Sequence, residues 1–254
     1  MTPPAPRICG RTASPPPKLE SNPRDYQQPY TLRERIAIEA IDEQVISTPV
    51  GTARLDWYRA PGATTAAVVL GHGTATGVEA LDLQALAQAL PPRGMTVVLM
   101  TQPYRVDGNL KVADELSLDR AWTAIWPTVS AGGVPVVAGG RSAGSQVACR
   151  TARALGADAV LALAYPLLGP GSPAELLGTG RPTLVVQGDK DPFGRPDQFP
   201  QLPPEIELVA IPGANHMFAT GALSSAGEPL AQLTAAVIEW LDRRLRGRSR
   251  SAPG

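Results

Sequence analysis

The 254-residue chain is short of the residues on which several function classes depend. Two cysteines, Cys9 and Cys149, are too few for a disulfide framework, which reads as a reducing, cytoplasmic compartment. Excess charge of either sign is missing: Lys+Arg 23 balances Asp+Glu 23, so the chain lacks the field a nucleic-acid binder normally carries. No run approaches the ~18–20 apolar residues that cross a bilayer, and MTPPAPRICGRTASPPPK has no apolar signal core. Nucleic acid and membrane are therefore not expected partners. Lysine is scarce (Lys18, Lys111 and Lys190), a skew toward arginine that GC-rich coding DNA, as in many actinobacteria, produces in a bacterial chain.

What is present suffices for a core. Hydrophobic residues make up 43% and charged ones 18%, and 26.6 kDa fits one large domain. Residues 1–30 hold eight of the 27 prolines and few large apolar side chains, so they read as a disordered tail, as do residues 247–254. The domain is expected over 31–246.

Inside those limits the hydrophobic period alternates. Arg35–Ile41, Gln44–Thr48 and Thr52–Tyr58 read as short strands of an antiparallel edge, turned at Pro49-Val50-Gly51. Compact apolar runs at Ala66–Leu70, Thr96–Met100, Val134–Ala138, Ala159–Ala164, Thr183–Gln187 and Glu207–Ile211 fit strands buried on both faces. Helical patterns occupy Asp82–Leu90, Ala113–Trp126, Ala143–Leu155 and Leu230–Leu245. Strand–helix alternation predicts an α/β fold, a mostly parallel sheet with helices on both faces. Such a sheet binds ligands at the carboxyl ends of its strands, where His72, Arg105, Ser142, Asp191 and His216 all fall.

Gly140-Arg141-Ser142-Ala143-Gly144 lies between a strand and a helix, the context of a nucleophile elbow. Side chains at either glycine would collide with neighbouring backbone in so tight a turn. A serine hydroxyl needs a base, and the order Ser, acid, His leaves His216 as the base, since His72 precedes the serine. GDKD offers Asp189 and Asp191; Asp191 lies farther out on the turn and is the preferred acid, with Asp189 as alternative. Backbone N–H groups of Ala143 and of Thr74, in Gly71-His72-Gly73-Thr74, are the expected oxyanion donors, with Gly73 competing for the second place. His72 is expected to anchor its loop. Arg105 and Arg141 are candidates for a substrate carboxylate, weighed against plain pairing with Asp or backbone carbonyls. Trp122, Trp126 and Trp240 fall at core spacing. No insertion is long enough for a large lid, which favours small or exposed acyl groups over long lipids.

The elbow, acid and histidine in this order resemble the α/β-hydrolase superfamily over about residues 35–245. LGHGTATG, QPYRVDG, GGRSAGS, YPLLGPGSP, TLVVQGDKDPFG and IPGANHMF are similar to the small family that includes testis-expressed protein thirty and the third subunit of the NSL chromatin complex. Dienelactone-hydrolase-like proteins are next in likeness. Leu168-Gly169 departs from the related YPLHPPG pattern, removing a histidine and a proline near the site. The resemblance implies the α/β-hydrolase fold and carries a triad onto Ser142, Asp191 and His216. The expected activity is hydrolysis of a small acyl ester without metal or cofactor; the alternative is a non-catalytic binding module on the same fold, with a lyase or perhydrolase as a third.

Overall fold

The computed structural model describes residues 42–108, 113–168, 173–220 and 227–246. The expected strand at Arg35–Ile41, Cys9 and both terminal tails lie outside these residues. The elements are β1 (Asp42–Thr48), β2 (Gly51–Tyr58), β3 (Ala66–Gly71), α1 (Leu81–Ala89), β4 (Met95–Thr101), α2 (Pro103–Val106) and α3 (Glu115–Ser130). After these come β5 (Val136–Arg141), α4 (Ala143–Leu155), β6 (Ala159–Leu163), α5 (Ala174–Leu177), β7 (Thr183–Gly188), β8 (Ile206–Ile211) and α6 (Gly227–Arg246).

The eight strands form one sheet in the order β1-β2-β4-β3-β5-β6-β7-β8. β2 runs antiparallel to β1 and β4, and every other pairing is parallel. This is the α/β architecture with an antiparallel edge that the alternation predicts. A two-residue turn joins Thr48 to its partner Gly51, whose φ of 119° only glycine adopts without strain.

β3 to β7 are buried along their whole length because both faces are covered. One side of each strand, with Val69, Val98 and Met100, packs on Trp122 and Ile125 of α3 and Val147 of α4. The other, with Val68, Leu70, Leu99 and Leu161, packs on Leu83 and Leu86 of α1 and Leu233, Val237 and Trp240 of α6. The three tryptophans expected in the core are buried there.

Two boundaries differ from expectation in an instructive way. α3 continues past Pro127 to Ser130, although proline removes a helix hydrogen bond. Pro127 and Thr123 are both exposed, so the carbonyl that proline leaves unbonded lies on the solvent side of the helix. β5 runs three residues beyond Ala138, through Gly139-Gly140-Arg141, directly into Ser142. Glycine is a weak strand former, but here the neighbours leave room for nothing larger. A Cβ on Gly139 would stand 2.9 Å from that of Leu161, and one on Gly140 2.6 Å from the Gly71 carbonyl oxygen. The connection from β6 to β7 holds only the single-turn α5 among its described residues, which build no lid. Among the described residues no helix is long and apolar enough to cross a membrane.

Candidate active site

Ser142 stands between β5 and α4 with φ 50° and ψ −122°, a region that side chains rarely adopt. Its N–H donates to the Leu163 carbonyl at 2.9 Å, which fastens the turn to the end of β6. The start of α4 presses on the end of β3: a Cβ at Gly144 would overlap the Gly71 carbonyl and stand 2.9 Å from that of His72. Gly140 and Gly144 are therefore the steric licence for a turn this sharp, and Ser142 carries its strain. Ala164 and Phe218, the other described non-glycine residues at positive φ, also lie on loops at this end of the sheet.

The structure brings three predicted side chains together across 74 residues of sequence. His216 Nε2 lies 3.1 Å from Ser142 Oγ, and His216 Nδ1 lies 2.8 Å from Asp191 Oδ2. A carboxylate only accepts, so Nδ1 carries the proton and Nε2 is left to accept from the serine hydroxyl. Asp191 is 1% exposed, and both of its oxygens accept: Oδ1 from the Phe193 N–H (2.8 Å) and Oδ2 also from Gln187 Nε2 (2.9 Å). Asp189 is placed elsewhere. Its Oδ1 accepts from the Gly213 N–H at 2.7 Å and so ties the acid loop to the histidine loop. Asn215 shapes that second loop by accepting from the N–H groups of Met217 and Ala219.

Ala143 opens α4, so its N–H belongs to the first turn, which has no intrahelical acceptor. Gly73 brings the loop after β3 against the elbow: a Cβ built on it would be 3.2 Å from Ser142 Cβ, which puts the backbone of Gly73 beside the nucleophile candidate. His72 fixes this loop. Its Nδ1 bonds the Gly73 carbonyl (2.7 Å) and its Nε2 accepts from the Gln102 N–H (3.1 Å), which is possible only for the neutral ring protonated at Nδ1. Burial, at 3% exposure, pushes the His72 pKa down, and nearby Arg105 adds a little.

The two arginines part company. Arg141 is 2% exposed and donates to Asp82, Thr76, the His216 carbonyl and Met217 Sδ, so its guanidinium faces the protein interior. For Arg141 the structure shows the alternative weighed against substrate binding, pairing with an aspartate and a backbone carbonyl, so the two arginines do not form a joint anion clamp. Arg105, on α2, stays partly exposed, 3.8 Å from Glu79.

Sequence reasoning missed two neighbours. Gln187 is fully buried at the end of β7, where it donates to Asp191 and to the Tyr165 and Gly194 carbonyls and accepts from the Tyr165 N–H. A lone amide in the apolar run TLVVQG was the available signal. Phe193, 40% exposed, lays its ring 4.5 Å from that of His216 and shields one side of the imidazole; nothing local distinguishes it from a loop residue. Cys149 is buried in α4, and desolvation pushes its thiol up to about 12, which leaves it inert. No cluster of three His, Cys, Asp or Glu side chains among the described residues is placed to hold a metal ion. A groove of about 790 Å³ lies between α1 and α6, lined by residues such as Ala85, Leu230 and Ile238, and shares no residue with the Ser142 cluster.

Known structures share this framework. A serine hydrolase homologue from Coxiella burnetii superposes with a TM-score of 0.69 at 20% identity, over 80% of this chain and 99% of that one. A serine hydrolase without a lid from Xanthomonas campestris gives 0.66 at 21% identity, over 80% and 94%. Est1E from Butyrivibrio proteoclasticus gives 0.63 at 15%, over 80% and 99%. None of the curated proteins matches the chain in sequence. The model of the alpha/beta hydrolase domain matches residues 64–242, more than half of the chain. By that match, and with the sheet order and elbow described above, the chain belongs to the alpha/beta hydrolase family.

Proposed function

We propose that the protein is a serine hydrolase of carboxylesterase type that cleaves a small acyl ester. The observation that carries this reading is the hydrogen-bonded line from Ser142 Oγ through His216 to Asp191 Oδ2. Ser142 Oγ attacks the carbonyl carbon while His216 Nε2 takes its proton, and Asp191 holds the imidazolium that forms. The oxygen of the tetrahedral intermediate is held by the N–H groups of Thr74 and Ala143. Collapse breaks the ester C–O bond, and His216 returns the proton to the leaving alcohol. Water, deprotonated by His216, then attacks the acyl-serine and releases the carboxylic acid. Each step uses side chains and backbone N–H groups of this chain together with water, so no cofactor is invoked.

The described β6–β7 connection favours small or exposed acyl groups, and Arg105 is the remaining candidate for an anionic group on the substrate. The quoted motifs support placing the chain near the small family that includes testis-expressed protein thirty. We place the working domain at residues 31–246 and its site of action in the cytoplasm, with a small molecule rather than nucleic acid or membrane as partner. A fluorophosphonate probe tests the reading: stoichiometric labelling of Ser142 is expected, and Ser142→Ala should lower p-nitrophenyl acetate turnover by at least about 10³-fold. A folded protein that neither labels nor hydrolyses would overturn it in favour of a non-catalytic module.

A further inference from the structure

An arginine buried beside a nucleophile is costly to desolvate, and Arg141 is buried deeply enough that its placement calls for a reason. Its charge is met by Asp82, in the first turn of α1, with Arg141 Nε donating to Oδ2 at 3.0 Å; both side chains are almost wholly buried. Asp82 thus holds the guanidinium at the end of β5. The two terminal nitrogens reach in different directions. Nη1 donates to Thr76 Oγ1 at 3.1 Å, on the loop that also carries Thr74. Nη2 donates to the main-chain carbonyl of His216 at 2.6 Å and to Met217 Sδ at 3.4 Å.

We propose that Arg141 is a positioning residue that sets the reach of His216 to Ser142 by gripping the His216 main chain from the position next to the nucleophile. The inference rests on the hydrolase reading above and deepens it. Base and nucleophile then hang from consecutive residues, Arg141 at the end of β5 and Ser142 just after it, so motion of the histidine loop relative to the elbow is restrained at the residue that must take the proton. The same guanidinium ties in the loop carrying the oxyanion donor candidates, so three segments that meet only in the folded protein share one planar group. Its fork of donors suits this task, whereas a lysine ammonium lacks the planar span to satisfy Asp82, Thr76 and His216 together.

Wild type, Arg141→Gln and Arg141→Lys are compared by p-nitrophenyl acetate kinetics, fluorophosphonate labelling rate, and the proton NMR signal of His216 Nδ1–H. Arg141→Gln is expected to lower kcat about 10²-fold per folded molecule, as a misplacement of order 1 Å does, with KM unchanged. Arg141→Lys should fall between it and wild type, and the Nδ1–H signal should broaden or vanish in the same order. A purely structural arginine would lower the melting temperature and leave kcat per folded molecule and the Nδ1–H signal as in wild type, and that result overturns the proposal. If Arg141→Gln does not fold, Arg141→Lys decides alone: wild-type kcat and signal refute the grip. If wild type itself neither labels nor turns over, the hydrolase reading fails, and the Nδ1–H comparison still decides whether Arg141 holds His216.

Discussion

Gly140→Ala is the smallest change that tests the close approach on which the elbow depends. The added Cβ would stand 2.6 Å from the Gly71 oxygen and 2.7 Å from the Gly144 carbonyl carbon, where ordinary contact begins near 3.4 Å. Both neighbours are backbone, one on β3 and one on α4, so no side chain can swing aside. Relief requires β3 and α4 to move away from Gly140 by roughly 0.8 Å, close to where Ser142 meets Gly73. Overpacking of this kind costs about 1–3 kcal/mol, a fall in melting temperature of roughly 2–12 °C for a domain of this size. The same shift carries Ser142 away from the proposed oxyanion donors, and kcat should fall by one to two orders of magnitude. Gly62→Ala is the control, because nothing lies within 4 Å of a Cβ there. Melting is followed by circular dichroism and turnover with p-nitrophenyl acetate. A Gly140→Ala protein that melts and turns over like the Gly62→Ala control would refute the steric account of the elbow.

Asp191→Asn should reduce turnover strongly by leaving His216 misoriented, while Asp189→Asn, which weakens the bond to the Gly213 N–H, should act chiefly on stability; the reverse pattern in paired kinetics would reassign the acid. His72 has a folded-state pKa below its ordinary 6.5, so its share of stability is complete above pH 6.5 and is lost as pH falls below that value. Melting temperatures between about pH 5 and 8 should therefore drop less steeply with acid in His72→Asn than in wild type, and equal slopes would sink the argument. A chain beginning at Thr31 should keep the melting temperature and esterase rate of the full chain; a loss of several degrees would mean that residues 1–30 cover apolar surface.

The features legible in the sequence are those whose cause is local. Strand and helix periods depend on residues two to four positions apart, so β3 to β8 and the four long helices could be read directly. The elbow was equally legible, because its two glycines and serine lie within five residues and their steric reason is carried in the turn. Chain order then singled out His216. The strand order was not legible: β4 lies between β2 and β3, and no local period encodes which buried strand pairs with which. Nor could the sequence settle the fate of Arg141, since its partners Asp82, Thr76 and His216 are 59, 65 and 75 residues away. Gln187 and Phe193 acquire their places around Asp191 and His216 only when β7 and β8 align. Composition and period determined the layers and the chemical groups available. Only tertiary packing, which decides where each buried donor finds its acceptor, turned one arginine into a brace and one glutamine into a support for the acid.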